Sequence, residues 1–333
     1  MKPLLITMGD PTGVGPELII KALLDQTFDL LSTPVEIVGD PKVLCRAGQI
    51  FNCEGSIETE QDNVCRLSFG GNKLIVHSLS HLNINTLIYG QPDTTCGKAM
   101  ADYVEYAIAR CLDKTAVGIV TAPINKAAIN AAGYHFPGHT ELLAERCGVK
   151  KVVMMLAGER LKVCLVTTHL AYRDVPAVLN QAEIVETITI TATALRDQFG
   201  IKQPRLAVLA LNPHASEDGL FGDEEERIIA PAIATAQQAG FVVSGPHSAD
   251  TLFYFAAQGA YDAVICMYHD QGLIPLKLLH FDDAVNVTLG LPIIRTSVDH
   301  GTAYDLAGSG KANTASLVSA LKMAKQMVEK QSF

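Results

Sequence analysis

The chain has 333 residues, 48% of them hydrophobic and 18% charged, with a formal net charge of −9. That length points to two domains or one large one, and that composition to a sizeable core. An acidic balance without a cluster of Lys and Arg speaks against a nucleic-acid partner or an anionic membrane surface, and leaves room for a small anionic substrate held by a few placed cations. In chain order, PLLIT is a first buried strand, followed by the glycine loop MGDPTGVG. Pro16 then opens a helix through PELIIKALLDQ, at a first-turn position where proline is tolerated. VEIVG is the next strand, and residues 50–95 are polar and irregular, with weak strands at KLIVH and NTLIYG. The apolar residues of GKAMADYVEYAIARCLD recur at helical spacing, and VGIVTAP returns to a buried strand.

In the second half, KKVVMMLAG, LKVCLVTTH, RLAVLALN and DAVICMYH are strands, and QAEIVETITITATALRDQFG and DEEERIIAPAIATAQQAG are helices. VNVTLGL and PIIRTS are short strands before a closing helix in ASLVSALKMAKQMVEK. Such alternation packs helices on both faces of a largely parallel sheet, an α/β fold. The eight cysteines show no CxxC spacing, as reduced cytosolic thiols would. No apolar run approaches the roughly 20 residues that span a bilayer, and the apolar stretch of MKPLLITMGD is too short for a signal peptide.

Three of the strands end on a histidine: His169 after LKVCLVTT, His214 after RLAVLALNP and His269 after VICMY. In open α/β sheets, ligands bind beyond the carboxyl ends of the strands. Neutral imidazoles there suit a divalent ion with positions left open for water or substrate. The alternative is three unrelated structural histidines, because sequence spacing alone does not establish convergence.

The glycine loop fails the dinucleotide fingerprint, since Gly13 and Gly15 fit but Leu18 takes the place of the last glycine. The P-loop pattern fails too: Gly310-Lys311 is followed by Ala312, and Asp305 stands where its first glycine belongs. Gly9, Gly13 and Gly15 form either a tight strand-to-helix turn or the lining of a ligand site. In GYHFPGHTELLAE, Gly138, His139 and Thr140 precede a helix, with Thr140 as its N-cap and the helix start either a plain capping turn or a seat for an anion. Lys277 and Arg295 interrupt apolar segments, with Asn286 between them; buried cations need partners, either internal carboxylates or a bound phosphate or carboxylate. Asp250 in GPHSADTLF is either a helix N-cap or a polar site residue. DHGTAYDLAGSGKAN, Asp299 to Asn313, is long, glycine-rich and poor in core residues, as functional loops often are.

Together MGDPTGVGPE, TAPINK, PGHTE, TTHLAYRDVP, LNPHA, ADTLF, MYHDQGLIPLK and VNVTLGLPIIRTSVDHGTA resemble the 4-hydroxythreonine-4-phosphate dehydrogenase family of vitamin B6 biosynthesis, over nearly the whole chain. The resemblance implies two α/β/α domains around a cleft, with the fold of isocitrate and isopropylmalate dehydrogenases and not a Rossmann fold. One domain would comprise residues 1–130 with 292–333 and carry the cofactor loop; residues 131–291 would form the metal- and substrate-binding domain. It implies His169, His214 and His269 as ligands of one divalent ion (zinc, magnesium or cobalt), and His139, Thr140, Lys277, Asn286 and Arg295 as substrate contacts. His300, Gly301 and Asn313 would meet NAD or NADP, with either Lys277 or Asp250 relaying the proton. The implied reaction is oxidation of the C3 hydroxyl of 4-phosphooxy-L-threonine by a cytoplasmic homodimer, with the metal site shared across its interface. A dehydrogenase of 4-phospho-D-threonate or 4-phospho-D-erythronate is the rival within the class; a non-catalytic, metal-stabilised phosphometabolite binder is the rival outside it.

Overall fold

The computed structural model describes residues 1–61, 63–136 and 138–331, so Pro137 of the PGHTE motif and the end of the expected first domain lie outside the described residues. They divide into two units: Met1–Lys150 with Leu291–Val328, and Lys151–Gly290 with the chain end from Glu329.

In the first unit the elements run β1 (Leu4–Thr7), α1 (Gly15–Leu24), β2 (Val35–Gly39), α2 (Pro41–Ile50), β3 (Gly55–Gln61), β4 (Val64–Phe69), β5 (Asn72–Ser78), α3 (Thr94–Leu112), β6 (Gly118–Thr121), α4 (Lys126–Ala131) and α5 (His139–Arg146). The second unit supplies β7 (Val153–Ala157), β8 (Lys162–Leu165), α6 (Val175–Val178), α7 (Gln181–Asp197), β9 (Arg205–Leu209), α8 (Ala230–Gln238), β10 (Val242–His247), α9 (Ala249–Ala256), β11 (Ala263–Cys266), α10 (His269–Leu279) and β12 (Val285–Leu289). The chain then returns to the first unit with β13 (Arg295–Val298) and the closing helix α11 (Ala315–Gln331).

The first unit's strands lie in the order β13-β6-β1-β2-β5-β4-β3, parallel from β13 to β5 and antiparallel beyond. β1 and β6 are buried along their whole length, which is why LLIT and GIVT read as continuous apolar runs. The second unit's strands lie in the order β10-β9-β11-β8-β7-β12; β10, β9, β11 and β8 are parallel, and β7 runs antiparallel to both its neighbours, β8 and β12.

Within the stretch 50–95, the strand expected at KLIVH is β5, and it continues into a meander with β4 and β3 where irregular chain was expected. VCRLSF alternates buried and half-buried side chains, the signature of a strand with one covered face. NTLIYG forms no strand: it holds only an isolated bridge from Ile88 to Gln91. Glycines permit the closest approaches around α1 and β1. Gly9 has φ +72°, and a Cβ there would stand 2.3 Å from the Pro123 carbonyl oxygen; one on Gly15 would stand 2.2 Å from that of Met8. Gly9 and Gly15 therefore have no room for a side chain.

Candidate active site

Three neighbouring parallel strands of the second unit, β9, β11 and β8, end in the loops that carry His214, His269 and His169. Those loops are tied to one another. The Thr167 hydroxyl donates to the Met267 carbonyl at 2.7 Å. The Gln271 amide donates to the Ala210 carbonyl at 2.6 Å and accepts from the Met267 N–H at 2.7 Å. The rings of His169 and His269 come within 5.5 Å, centroid to centroid. Asp270 pairs with His269 Nδ1 at 2.7 Å, which fixes the ring and leaves Nε2 for a ligand. A cavity of about 330 Å³ surrounds both histidines, walled by Thr168, Leu170, Tyr172, Val175, Tyr268 and Asp270.

His214 is held differently. It begins a run of five consecutive non-glycine residues, His214 to Asp218, with left-handed backbone (φ between 46° and 68°), and its ring lies 6.2 Å from that of Phe221. Such backbone is costly and persists only where the surroundings impose it. Just before that run, the buried Glu225 carboxylate accepts from the N–H groups of Leu211 and Asn212 at 2.7 and 2.8 Å and from the Asn212 side chain at 2.9 Å. Among the described residues no three His, Cys, Asp or Glu side chains are grouped to hold a metal ion. The structure thus brings His169 and His269 together but not His214 with them. The donors still suit a divalent ion in kind: imidazoles, one of them braced by a carboxylate.

Asp250 stands in the first turn of α9, whose N-cap is Ser248. The Ser248 hydroxyl donates to it at 2.6 Å and holds its carboxyl below the usual range, and the nearby His214 lowers it further. Lys277 lies on α10 with its ammonium 5.6 Å from the Phe281 ring centroid, and Asn286 is half-buried in β12.

The first unit carries the other candidates. Helices α4 and α5 pack on α3, so His139 and Thr140 belong here. Gly138, not Thr140, is the N-cap of α5; Thr140 sits within the first turn. Burial, and then the charges of Arg295 and Lys126, hold the His139 imidazole well below its ordinary 6.5, and its Nε2 is sealed from solvent without a hydrogen-bond partner among the described residues. A Cβ on Gly138 would stand 3.4 Å from Lys126 Nζ, which places that ammonium over the start of α5. Arg295 is 3% exposed, donates to the Thr121 hydroxyl at 2.7 Å, and is brought down to about 10 by burial. Two cations, a neutral imidazole and a helix start together make a seat for an anion. Lys126, in TAPINK, escaped the sequence reading because nothing in that motif points toward a turn twelve residues on.

His300 Nδ1 lies 2.9 Å from the Gly301 carbonyl, and its Nε2 is buried without a partner among the described residues. A Cβ on Gly301 would meet open space. The Asn313 side chain accepts from the Ala315 N–H at 2.9 Å, just before α11. Tyr304 donates to the buried Asp10 at 2.6 Å and accepts from the Asn125 amide at 2.6 Å, and burial followed by the Asp10 contact pushes its phenol up to about 12. Asp10 also accepts from the Thr12 N–H and hydroxyl, both at 2.8 Å. Sequence reasoning missed this link between the glycine loop and residues 300–313, although MGDPTG, an acid inside a glycine loop, was its one visible signal.

The profile of the pyridoxal phosphate biosynthetic protein PdxA matches residues 31–324. A 4-hydroxythreonine-4-phosphate dehydrogenase of Geobacter metallireducens is 53% identical over 97% of this chain and 95% of that protein. The crystal structure of a 4-hydroxythreonine-4-phosphate dehydrogenase from Klebsiella pneumoniae superposes with a TM-score of 0.86 at 40% identity, covering 98% of each chain. A β-decarboxylating dehydrogenase from Thermococcus kodakarensis shares the fold alone, with a TM-score of 0.51 at 11% identity over 97% of this chain and 82% of that one. The α/β architecture is therefore the one that the isocitrate and isopropylmalate dehydrogenase likeness implied, and the chain belongs to the PdxA family of pyridoxal phosphate biosynthesis.

Proposed function

We propose that the chain is a nicotinamide-linked, metal-dependent dehydrogenase that oxidises the C3 hydroxyl of 4-phosphooxy-L-threonine, giving a β-keto acid that loses CO₂ to leave 3-amino-2-oxopropyl phosphate. The near full-length likeness to proteins named for that activity carries this reading. The cationic seat of Lys126, His139 and Arg295 supports it, because a phosphate monoester needs such a seat.

His169, His214 and His269 would hold the divalent ion, which supplies Lewis-acid polarisation of the hydroxyl; NAD or NADP, against residues 300–313, supplies the hydride acceptor. The remaining work belongs to the side chains. Arg295, Lys126 and the start of α5 with Thr140 bind the phosphate, and neutral His139 hydrogen-bonds beside it without adding charge. Lys277 and Asn286 orient the carboxylate and amine end. The Asp250 carboxyl is held low by Ser248 and then by the nearby His214, and either Asp250 or Lys277 relays the hydroxyl proton.

The enzyme is also read as a cytoplasmic homodimer. All eight cysteines are free, and no helix among the described residues is long and apolar enough to cross a membrane. On α10 and just beyond it, Ile274, Leu278 and Phe281 are 66%, 84% and 77% exposed, an apolar face of the kind that a second copy covers.

The test is absorbance at 340 nm with 4-phosphooxy-L-threonine, 4-phospho-D-threonate and 4-phospho-D-erythronate, each with NAD or NADP, with and without a chelator. The L-threonine ester should turn over fastest, and the chelator should stop it. His214→Ala should lose both bound metal and turnover. A preference for either D-acid, or a His214→Ala enzyme with normal metal and rate, would overturn the assignment.

A further inference from the structure

The loop of residues 300–313 is fastened to α1 and to the residue that caps it. The Val14 N–H donates to the Thr302 carbonyl at 3.0 Å. Glu17 Oε2 accepts from the Gly310 N–H at 3.3 Å, and Lys21 Nζ donates to the Ala312 carbonyl at 3.1 Å. Glu17 and Lys21 stand four residues apart, a spacing that puts their side chains on one face of α1. We propose that Glu17 and Lys21 are positioning residues for the nicotinamide cofactor, holding the backbone of 308–312 in the form against which the cofactor binds. The inference rests on reading 300–313 as the cofactor loop.

Several observations separate these two residues from ordinary surface charges. Glu17 is 2% exposed, a place where a carboxylate is costly unless it holds something. Burial raises its pKa, and the N–H groups of Gly310 and Gly308 work against that rise. Both glycines have left-handed backbone (φ +69° and +82°), so this stretch has no regular ladder to keep its shape. A Cβ on Gly308 would stand 2.5 Å from the Tyr89 ring, and the Arg46 guanidinium covers that ring at 4.0 Å. The carboxylate thus reaches the glycine turn from α1 while Tyr89 and Arg46 wall it in. A loop ordered before the cofactor arrives spares binding that ordering entropy. The anchors act on cofactor affinity and not on the chemical step.

The experiment is steady-state kinetics on the metal-loaded enzyme with both substrates varied, together with hydrogen exchange of residues 300–313 with and without NAD or NADP. Glu17→Ala should raise the cofactor KM about tenfold and speed exchange at Gly310, while kcat and the KM of the phosphorylated substrate stay within about twofold. Glu17→Gln, which keeps an acceptor, should recover most of the loss. Lys21→Met should give the same split at about threefold, and it carries the test alone if Glu17→Ala fails to fold. A normal cofactor KM in Lys21→Met and in a folded Glu17→Ala, with wild-type exchange still slowed by cofactor, overturns the inference and leaves the cofactor-loop reading intact. Wild-type exchange that no cofactor alters removes that reading and the inference with it.

Discussion

His139 illustrates how a residue's surroundings decide its chemistry. Its imidazole is desolvated and faces the positive charges of Arg295 and Lys126, so it stays neutral where a free histidine would titrate. Between its depressed folded pKa and the ordinary 6.5, the unfolded chain binds the extra proton, so stability is fully present above 6.5 and declines as pH falls below it. His247, lowered by burial, acts in the same direction. Urea midpoints measured from neutral to mildly acid pH should fall on the acid side, and His139→Gln should flatten that slope. An unchanged slope would mean that the imidazole is solvated. The histidines that end strands were legible in the sequence because an apolar run stopping on an imidazole is a local pattern. Glu225, Gln271 and Lys126 were not, because each acts on backbone or side chains that folding alone brings near.

At the scale of elements, a close helix contact sits beside the proposed anion seat. Gly97 of α3 faces α4 so closely that a Cβ would stand 2.0 Å from the Ala128 carbonyl oxygen. That contact positions the start of α4, where Asn125 caps the helix by accepting from the Ala128 N–H at 2.8 Å and reaches Tyr304 with its amide. Gly97→Val should therefore cost about 3 kcal/mol, read as a lower denaturant midpoint, and should weaken substrate binding in the fraction that folds. A variant of wild-type stability would show that α3 and α4 can separate without loss. Parallel strands with both faces buried were visible in the sequence as unbroken apolar runs. β5 was read too, at KLIVH, but β3 and β4 beside it were not, because GSIETEQ and VCRLSF carry charged and hydroxyl side chains that look like loop composition until pairing is known. α10 was hidden for another reason: Pro275 lies inside it, and glycine and proline together suggest a turn.

For the molecule as a whole, the exposed apolar face of α10 predicts assembly. Leu278→Glu combined with Phe281→Glu should convert the proposed dimer into a monomer by light scattering at micromolar concentration, and turnover should fall with it. A double variant that stays dimeric would move the interface elsewhere. The order in which the chain is made adds a further consequence. Strand β6 has β1 on one side and β13 on the other, and β13 arrives only after the whole of the second unit. Asp10 and Lys21 likewise await Tyr304 and Ala312, 294 and 291 positions downstream. A ribosome that stalls before Leu291 would thus leave a nascent body with a raw parallel edge and two stranded polar anchors, a form that invites mispairing and calls for a chaperone.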